Sequence, residues 1–178
     1  LNNGTVYTFT VSATNSTGTT NGATSSSVTP AGKPGAPTGA SAVRGNGQAT
    51  VTFTAPTDTG GSAITSYTVT AYDSSGNAAG TCTGSGTTYT CTGLTNGAAY
   101  TFKATATNAL FTSDLSTASS AVTPATVPGA PTSLAASSST SGSATITFTA
   151  PTSDGGSSIT GYTITSSPAG ATCTVGRN

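Results

Sequence analysis

The stretch Gly93-Leu-Thr-Asn-Gly-Ala-Ala-Tyr-Thr-Phe-Lys-Ala-Thr-Ala-Thr-Asn108 limits what this chain can fold into more than any other feature. A turn signal, Thr95-Asn96-Gly97, precedes strict alternation. Tyr100, Phe102, Ala104 and Ala106 fall on one side; Thr101, Lys103, Thr105 and Thr107 fall on the other. That is the period-two pattern of a half-buried strand. The same stretch opens the chain as Leu1-Asn-Asn-Gly-Thr-Val-Tyr7-Thr-Phe9-Thr-Val11-Ser-Ala13-Thr-Asn15.

The repetition is general. Pro34-Gly-Ala-Pro-Thr38 recurs as Pro128-Gly-Ala-Pro-Thr132, and Val28-Thr-Pro30 as Val122-Thr-Pro124. Thr52-Phe-Thr-Ala-Pro-Thr57 recurs at Thr147–Thr152, and Gly60-Gly61-Ser-Ala-Ile64 as Gly155-Gly156-Ser-Ser-Ile159. Internal repetition is decisive for architecture. The chain divides into the back of one repeat (1–30), a whole repeat (34–124) and the front of a third (128–178).

Within the whole repeat, short alternating runs separated by turn residues predict seven strands. They lie near Ala40–Arg44, Ala49–Thr54 and Ile64–Tyr72, around Cys82, around Cys91, at Ala99–Thr107 and near Ala118–Val122. Spacing of this kind argues for an all-β antiparallel sandwich. Thr and Ser make up roughly two-fifths of the chain, and charged residues only 4%. Disorder usually joins low hydrophobicity to high charge. Here charge is nearly absent and Thr alternates with Val, Ile, Phe and Tyr, which suits an exposed strand face.

Leu94-Thr-Asn-Gly-Ala-Ala-Tyr100-Thr-Phe102, closed by Asn108 and Val122-Thr-Pro124, resembles bacterial fibronectin type III repeats. The pre-domain Pro-x-x-Pro-Thr and the strand ending Thr-Ala-Pro match as well. The resemblance implies tandem immunoglobulin-like sandwiches. It also implies a tyrosine corner, a Leu followed six residues on by a Tyr that locks a turn: Leu94 with Tyr100, and Leu1 with Tyr7. Phe53 and Phe148 stand where the family usually has Trp, so the core is lighter than usual.

Cys82 and Cys91 are expected to form a disulfide, which implies an oxidising, extracytoplasmic location. A two-residue turn at Gly86-Thr87 would set residue 82 opposite 91, with Cα atoms about 4.5 Å apart. The family topology leaves a second geometry open, in which the bond joins the two sheets. Closing a loop of about 10 residues stabilises by roughly 2–3 kcal/mol. Cys173 matches Cys82 in the third repeat and is unpaired within these residues.

Catalytic, cofactor and metal sites are not expected. There is no His or Glu, and the four carboxylates, Asp58, Asp73, Asp114 and Asp154, are dispersed. General acid–base chemistry has nothing to use, no base can activate a Ser or Thr, and no metal-ligand spacing occurs. Asp58 and Asp154 hold equivalent loop positions and read as turn formers. Lys33, Arg44, Lys103 and Arg177 are scattered, which excludes a nucleic-acid patch. No apolar run is long enough for a membrane helix. Lys103 reads as a solvated surface residue and Arg44-Gly45-Asn46 as a turn. Asn3-Gly-Thr5 and Asn15-Ser-Thr17 are weak glycosylation matches.

The resulting expectation is a non-catalytic structural segment of a secreted or cell-surface repeat protein, part of an extracellular filament, sheath or adhesin stalk. Its partners would be neighbouring repeats, other copies of itself, or a cell-surface or polysaccharide partner. The competing reading is a linker module of a secreted carbohydrate-active enzyme. A ligand- or ice-binding Thr face ranks last, because fibronectin-like sheets twist. Leu110 and Phe111, in the loop after Asn108, are the candidate contact site. The chain is further expected to be a window from a longer array, its end repeats completed by flanking chain or by a neighbouring copy.

Overall fold

The structure is a computed structural model and describes residues 1–168 and 172–176. Arg177 lies outside that range. Thirteen strands are formed among the described residues: β1 (Thr10–Asn15), β2 (Gly18–Thr24), β3 (Thr38–Arg44), β4 (Gln48–Thr54), β5 (Ile64–Tyr72), β6 (Ala78–Ala79), β7 (Thr81–Ser85), β8 (Thr88–Thr92), β9 (Thr101–Asn108), β10 (Thr132–Thr140), β11 (Ser143–Thr149), β12 (Gly161–Thr165) and β13 (Thr172–Gly176). All pairings are antiparallel.

The middle repeat is a two-sheet sandwich. One sheet has the order β3-β4-β8-β7, the other β6-β5-β9. Alternation explains the layers. Ala49, Val51 and Phe53 of β4, with Tyr89 and Cys91 of β8, point inward from the first sheet. Val69 and Ala71 of β5, with Phe102, Ala104 and Ala106 of β9, face them from the second. The intervening Thr residues face water. Phe102 and Val51 are the largest fully buried hydrocarbon side chains; burying one such side chain is worth roughly 1.5–3 kcal/mol. Phe53, in the position expected of Trp, packs against Tyr67 at 5.2 Å and Tyr89 at 6.1 Å between ring centroids.

The sequence-based strand near Ala118–Val122 is not formed. Residues 113–122 run along β9 without becoming a strand, because they meet it through serine side chains. Ser113, Ser116 and Ser119 donate their N–H groups to the carbonyls of Ala106, Ala104 and Phe102 at 2.8, 2.8 and 2.9 Å. Their hydroxyl oxygens accept from the N–H groups of the same three residues at 2.9, 2.9 and 3.1 Å. Three residues of the outer segment serve two of β9, an extra residue at every rung.

The flanking segments form smaller sheets. β1 and β2 are a hairpin, β10 pairs with β11, and β12 with β13. Phe148 and Tyr162 pack as tilted rings with centroids 4.7 Å apart, the counterpart of Phe53 and Tyr67. An open cleft of about 470 Å³ lies beside this pair, lined among others by Leu134, Ile159 and Ile164.

Candidate functional site

The disulfide is formed, between Cys82 of β7 and Cys91 of β8. The register runs Ser85↔Thr88, Gly84↔Tyr89, Thr83↔Thr90, Cys82↔Cys91, with Gly86 at φ 56° supplying the left-handed turn. The two Cα atoms are 3.8 Å apart. Of the two geometries open from sequence, the within-sheet one holds, because the tight turn makes β7 and β8 a hairpin of the four-stranded sheet. The bond fastens the edge strand β7 to β8 and does not join the sheets. Cys91 is fully buried. Cys173 is free and exposed, in β13 opposite Ile164.

The turn before β9 is closed by Tyr100, whose Oη accepts from Thr95 N at 3.1 Å while Leu94 is buried beneath it. In the first segment Tyr7 Oη accepts from Asn2 N at 2.8 Å, but Leu1 is 78% exposed.

Leu110 and Phe111 are 66% and 46% exposed, with Leu115 nearby in sequence at 47%. Both stay partly exposed at the surface of the domain. Their backbone is held, since Leu110 N and Phe111 N donate to Asn108 Oδ1 at 3.0 and 2.9 Å. Asn108 is itself buried, and its Nδ2 donates to Gly32 O and Thr59 O, both at 2.9 Å. Sequence reading used Asn108 only as a family marker; its spacing from the linker carried no local signal.

The dispersed charges stay dispersed. Asp58 Oδ1 accepts from Gly60 N at 2.8 Å, but the matching contact in the third repeat is Gly155 N to Ser153 Oγ at 3.2 Å. Asp154, expected at the equivalent position, stands one residue later and accepts from Gly156 N at 2.9 Å, so both carboxylates form turns without being equivalent. Asp73 accepts from Ser75 N and Asn77 N, both at 2.9 Å. The Asn77 backbone N–H is the largest cause holding its carboxyl below the ordinary carboxylate value. Lys33 pairs with Asp114 at 2.6 Å on the surface, and Lys103 lies 5.3 Å from the centroid of the Tyr72 ring. Among the described residues, no three His, Cys, Asp or Glu side chains come together as a metal site would require, and no helix is long and apolar enough to cross a membrane.

The family model described as "Fibronectin type III domain" matches residues 35–122. No curated protein matches the chain. Among solved structures, domains A168–A170 of titin match at 25% identity and TM-score 0.51, over 65% of this chain and 40% of that one. The FN1–FN3 domains of chicken CNTN1 match at 23% identity and TM-score 0.46, over 57% and 36%. Titin module A71 from human cardiac muscle matches at 33% identity and TM-score 0.43, over 53% and 92%. This chain thus spans about two-fifths of the three-domain titin structure. The model match coincides with the two facing sheets, β3 to β9 and the serine segment that closes β9. Residues 35–122 are therefore a fibronectin type III domain, with the immunoglobulin-like sandwich of that family.

Proposed function

We propose that the chain is a non-catalytic structural segment of a secreted or cell-surface repeat protein, one stretch of an extracellular stalk, sheath or filament. The observation that carries the reading is repetition: segments before and after the domain repeat its sequence across short proline-containing linkers. Linkers of that length and composition favour an extended, semi-rigid array. The disulfide supports an oxidising compartment. Antibody against residues 35–122 should label intact cells of the source organism; labelling only after permeabilisation contradicts the location.

The contact between copies is assigned to Leu110 and Phe111. A pinned loop that turns two large apolar side chains outward is unusual on so polar a surface. Replacing both by Ser should weaken self-association in sedimentation while the melting temperature stays almost unchanged. Association left intact in that variant contradicts the assignment, and a polysaccharide or cell-surface partner then becomes the one to test.

A further inference from the structure

Two joins link successive repeats, at residues 30–35 and 124–129, and they are built alike. At the first, Gly4 N donates to Pro30 O at 2.8 Å, Gly32 N to Gly60 O at 2.7 Å and Gly35 N to Asp58 O at 2.9 Å. At the second, Gly97 N donates to Pro124 O at 2.9 Å, Thr126 N to Gly155 O at 2.8 Å and Gly129 N to Ser153 O at 2.9 Å. Each linker is thus bonded backward, at its proline carbonyl, to the Asn-Gly turn of the preceding repeat. It is bonded forward, two residues on, to the Gly-Gly turn of the following one. A loose linker would leave these groups to water.

The two turns also touch. A Cβ on Gly61 would fall 2.8 Å from Gly4 Cα, and one on Gly156 would fall 2.7 Å from the carbonyl carbon of Asn96. From the other side, a Cβ on Gly4 would lie 3.1 Å from Gly61 Cα, and one on Gly97 would lie 3.3 Å from Gly156 Cα. The contact is backbone on backbone, with only the Asn96 Cβ beside it at the second join. Gly61 and Gly156 have φ values of 82° and 87°. Asn tolerates that region, so the dihedral alone does not demand glycine. The close approach does. The complete domain adds pins at both ends: Asn108 Nδ2 holds Gly32 O of the incoming linker, and Ala125 N of the outgoing one donates to Gly45 O at 3.1 Å.

We propose that the Gly60-Gly61 and Gly155-Gly156 turns are docking surfaces whose partner is the Asn-Gly turn of the preceding repeat, and that this contact fixes the angle between successive repeats. Little intrinsic affinity is needed, because a four- or five-residue tether holds the surfaces at high effective concentration. Two joins with the same donors, acceptors and glycines set the same angle twice, so the array extends as a stiff rod of regular pitch. The inference deepens the spacer reading and rests on it for its meaning. The two fail separately: loose joins would leave a flexible spacer, whereas the spacer reading fails on surface labelling.

The test is residual dipolar couplings of backbone amides in the whole 178-residue chain. Couplings from residues 35–122 and from 128–165 are expected to fit one alignment tensor. Gly156→Asn keeps the left-handed dihedral accessible but sets a side chain into the contact, and should split the fit into two tensors. Gly76→Asn is the control, at φ 81° with nothing within 4 Å of the added Cβ; it should keep one tensor. Should Gly156→Asn unfold the third segment, Gly97→Asn enters the same contact from the disulfide-bearing domain. A single tensor in the folded contact variants overturns the proposal, and so does a need for two tensors in the parent.

Discussion

Residues 7–28 and 100–122 begin alike and close their strands differently. In the first segment Asn15 is followed by a tight turn, and β2 pairs with β1 as a strand, Thr14↔Thr19 and Ser12↔Asn21, with one register shift between Thr10 and Ser12. Side chains join across the pairs, Thr14 to Thr19 and Ser12 to Asn21, each at 2.8 Å. In the domain, the positions matching Thr19, Gly22 and Ser25 are Ser113, Ser116 and Ser119, and a serine ladder replaces the outer strand. The one ladder position that is serine in both regions, Ser25 and Ser119, behaves the same way in each. Ser25 N donates to Phe9 O at 2.8 Å, and its Oγ accepts from Phe9 N at 2.9 Å. At Gly22 no hydroxyl is offered, and the outer segment stays a strand there, with its one register shift falling beside this glycine. Serine at all three of these positions accompanies the ladder, and a threonine, a glycine and a serine there accompany a strand.

The difference bears on packing. An exposed strand edge templates association, and proteins commonly guard it with charge. This chain is 4% charged. In the domain each ladder serine also donates its hydroxyl to the next residue's carbonyl, Asp114, Thr117 or Ser120. Those carbonyls already accept one donor each, and the serine segment covers the edge of β9 without offering a regular strand ladder of its own. At the far edge of the other sheet, the disulfide ties β7 down.

Replacing Ser113, Ser116 and Ser119 together by Ala should be the most damaging change. Each leaves a buried N–H of β9 unmade, at about 1–3 kcal/mol apiece, a total comparable with the whole stability of a small domain. Ser25→Ala, at an exposed edge, should cost far less; equal effects in thermal unfolding would erase the contrast. Next, Cys82→Ser with Cys91→Ser should lower stability by roughly 2–3 kcal/mol. Because the bond lies in the other sheet, the order of amide protection along β9 should survive. Tyr100→Phe should cost about 1 kcal/mol, since Thr95 N loses its partner in a part-buried contact. Tyr7→Phe should be nearly silent, since water can replace its exposed bond. Least of all is the pH effect of Asp73, a residue on neither edge. Its folded pKa is lowered, chiefly by the Asn77 N–H. Its contribution is therefore present above the unfolded carboxylate value and lost as pH falls through the folded one. Asp73→Asn should remove that acid-side dependence from the melting curve.

What could be read from sequence was what is local. The Tyr100–Asn108 alternation gave the inner face of β9, and a two-residue turn at Gly86-Thr87 gave the register that puts Cys82 beside Cys91. Which sheet held that hairpin was not local, and the family topology left it open. The ladder was missed because Ser113-x-x-Ser116-x-x-Ser119-x-x-Val122 is polar and spaced by three, a pattern that tests for hydrophobic periods of 2 and 3.6 pass over. Gly60-Gly61 and Gly155-Gly156 were visible as a repeat. Their approach to Gly4 and Gly97 is long-range, and glycine carries no signal of what it touches.

Hydrogen exchange at Ala104 N–H tests the serine ladder most directly. With Ser116 Oγ as its acceptor at 2.9 Å, this amide should exchange only on global opening in the parent. In Ser116→Ala it should exchange faster than the change in global stability alone accounts for, while Thr105, on the opposite edge of β9 and paired with Thr68 of β5, keeps pace with global opening. An Ala104 amide that exchanges rapidly in the parent, or is slowed equally with and without the serine hydroxyl, would contradict the account.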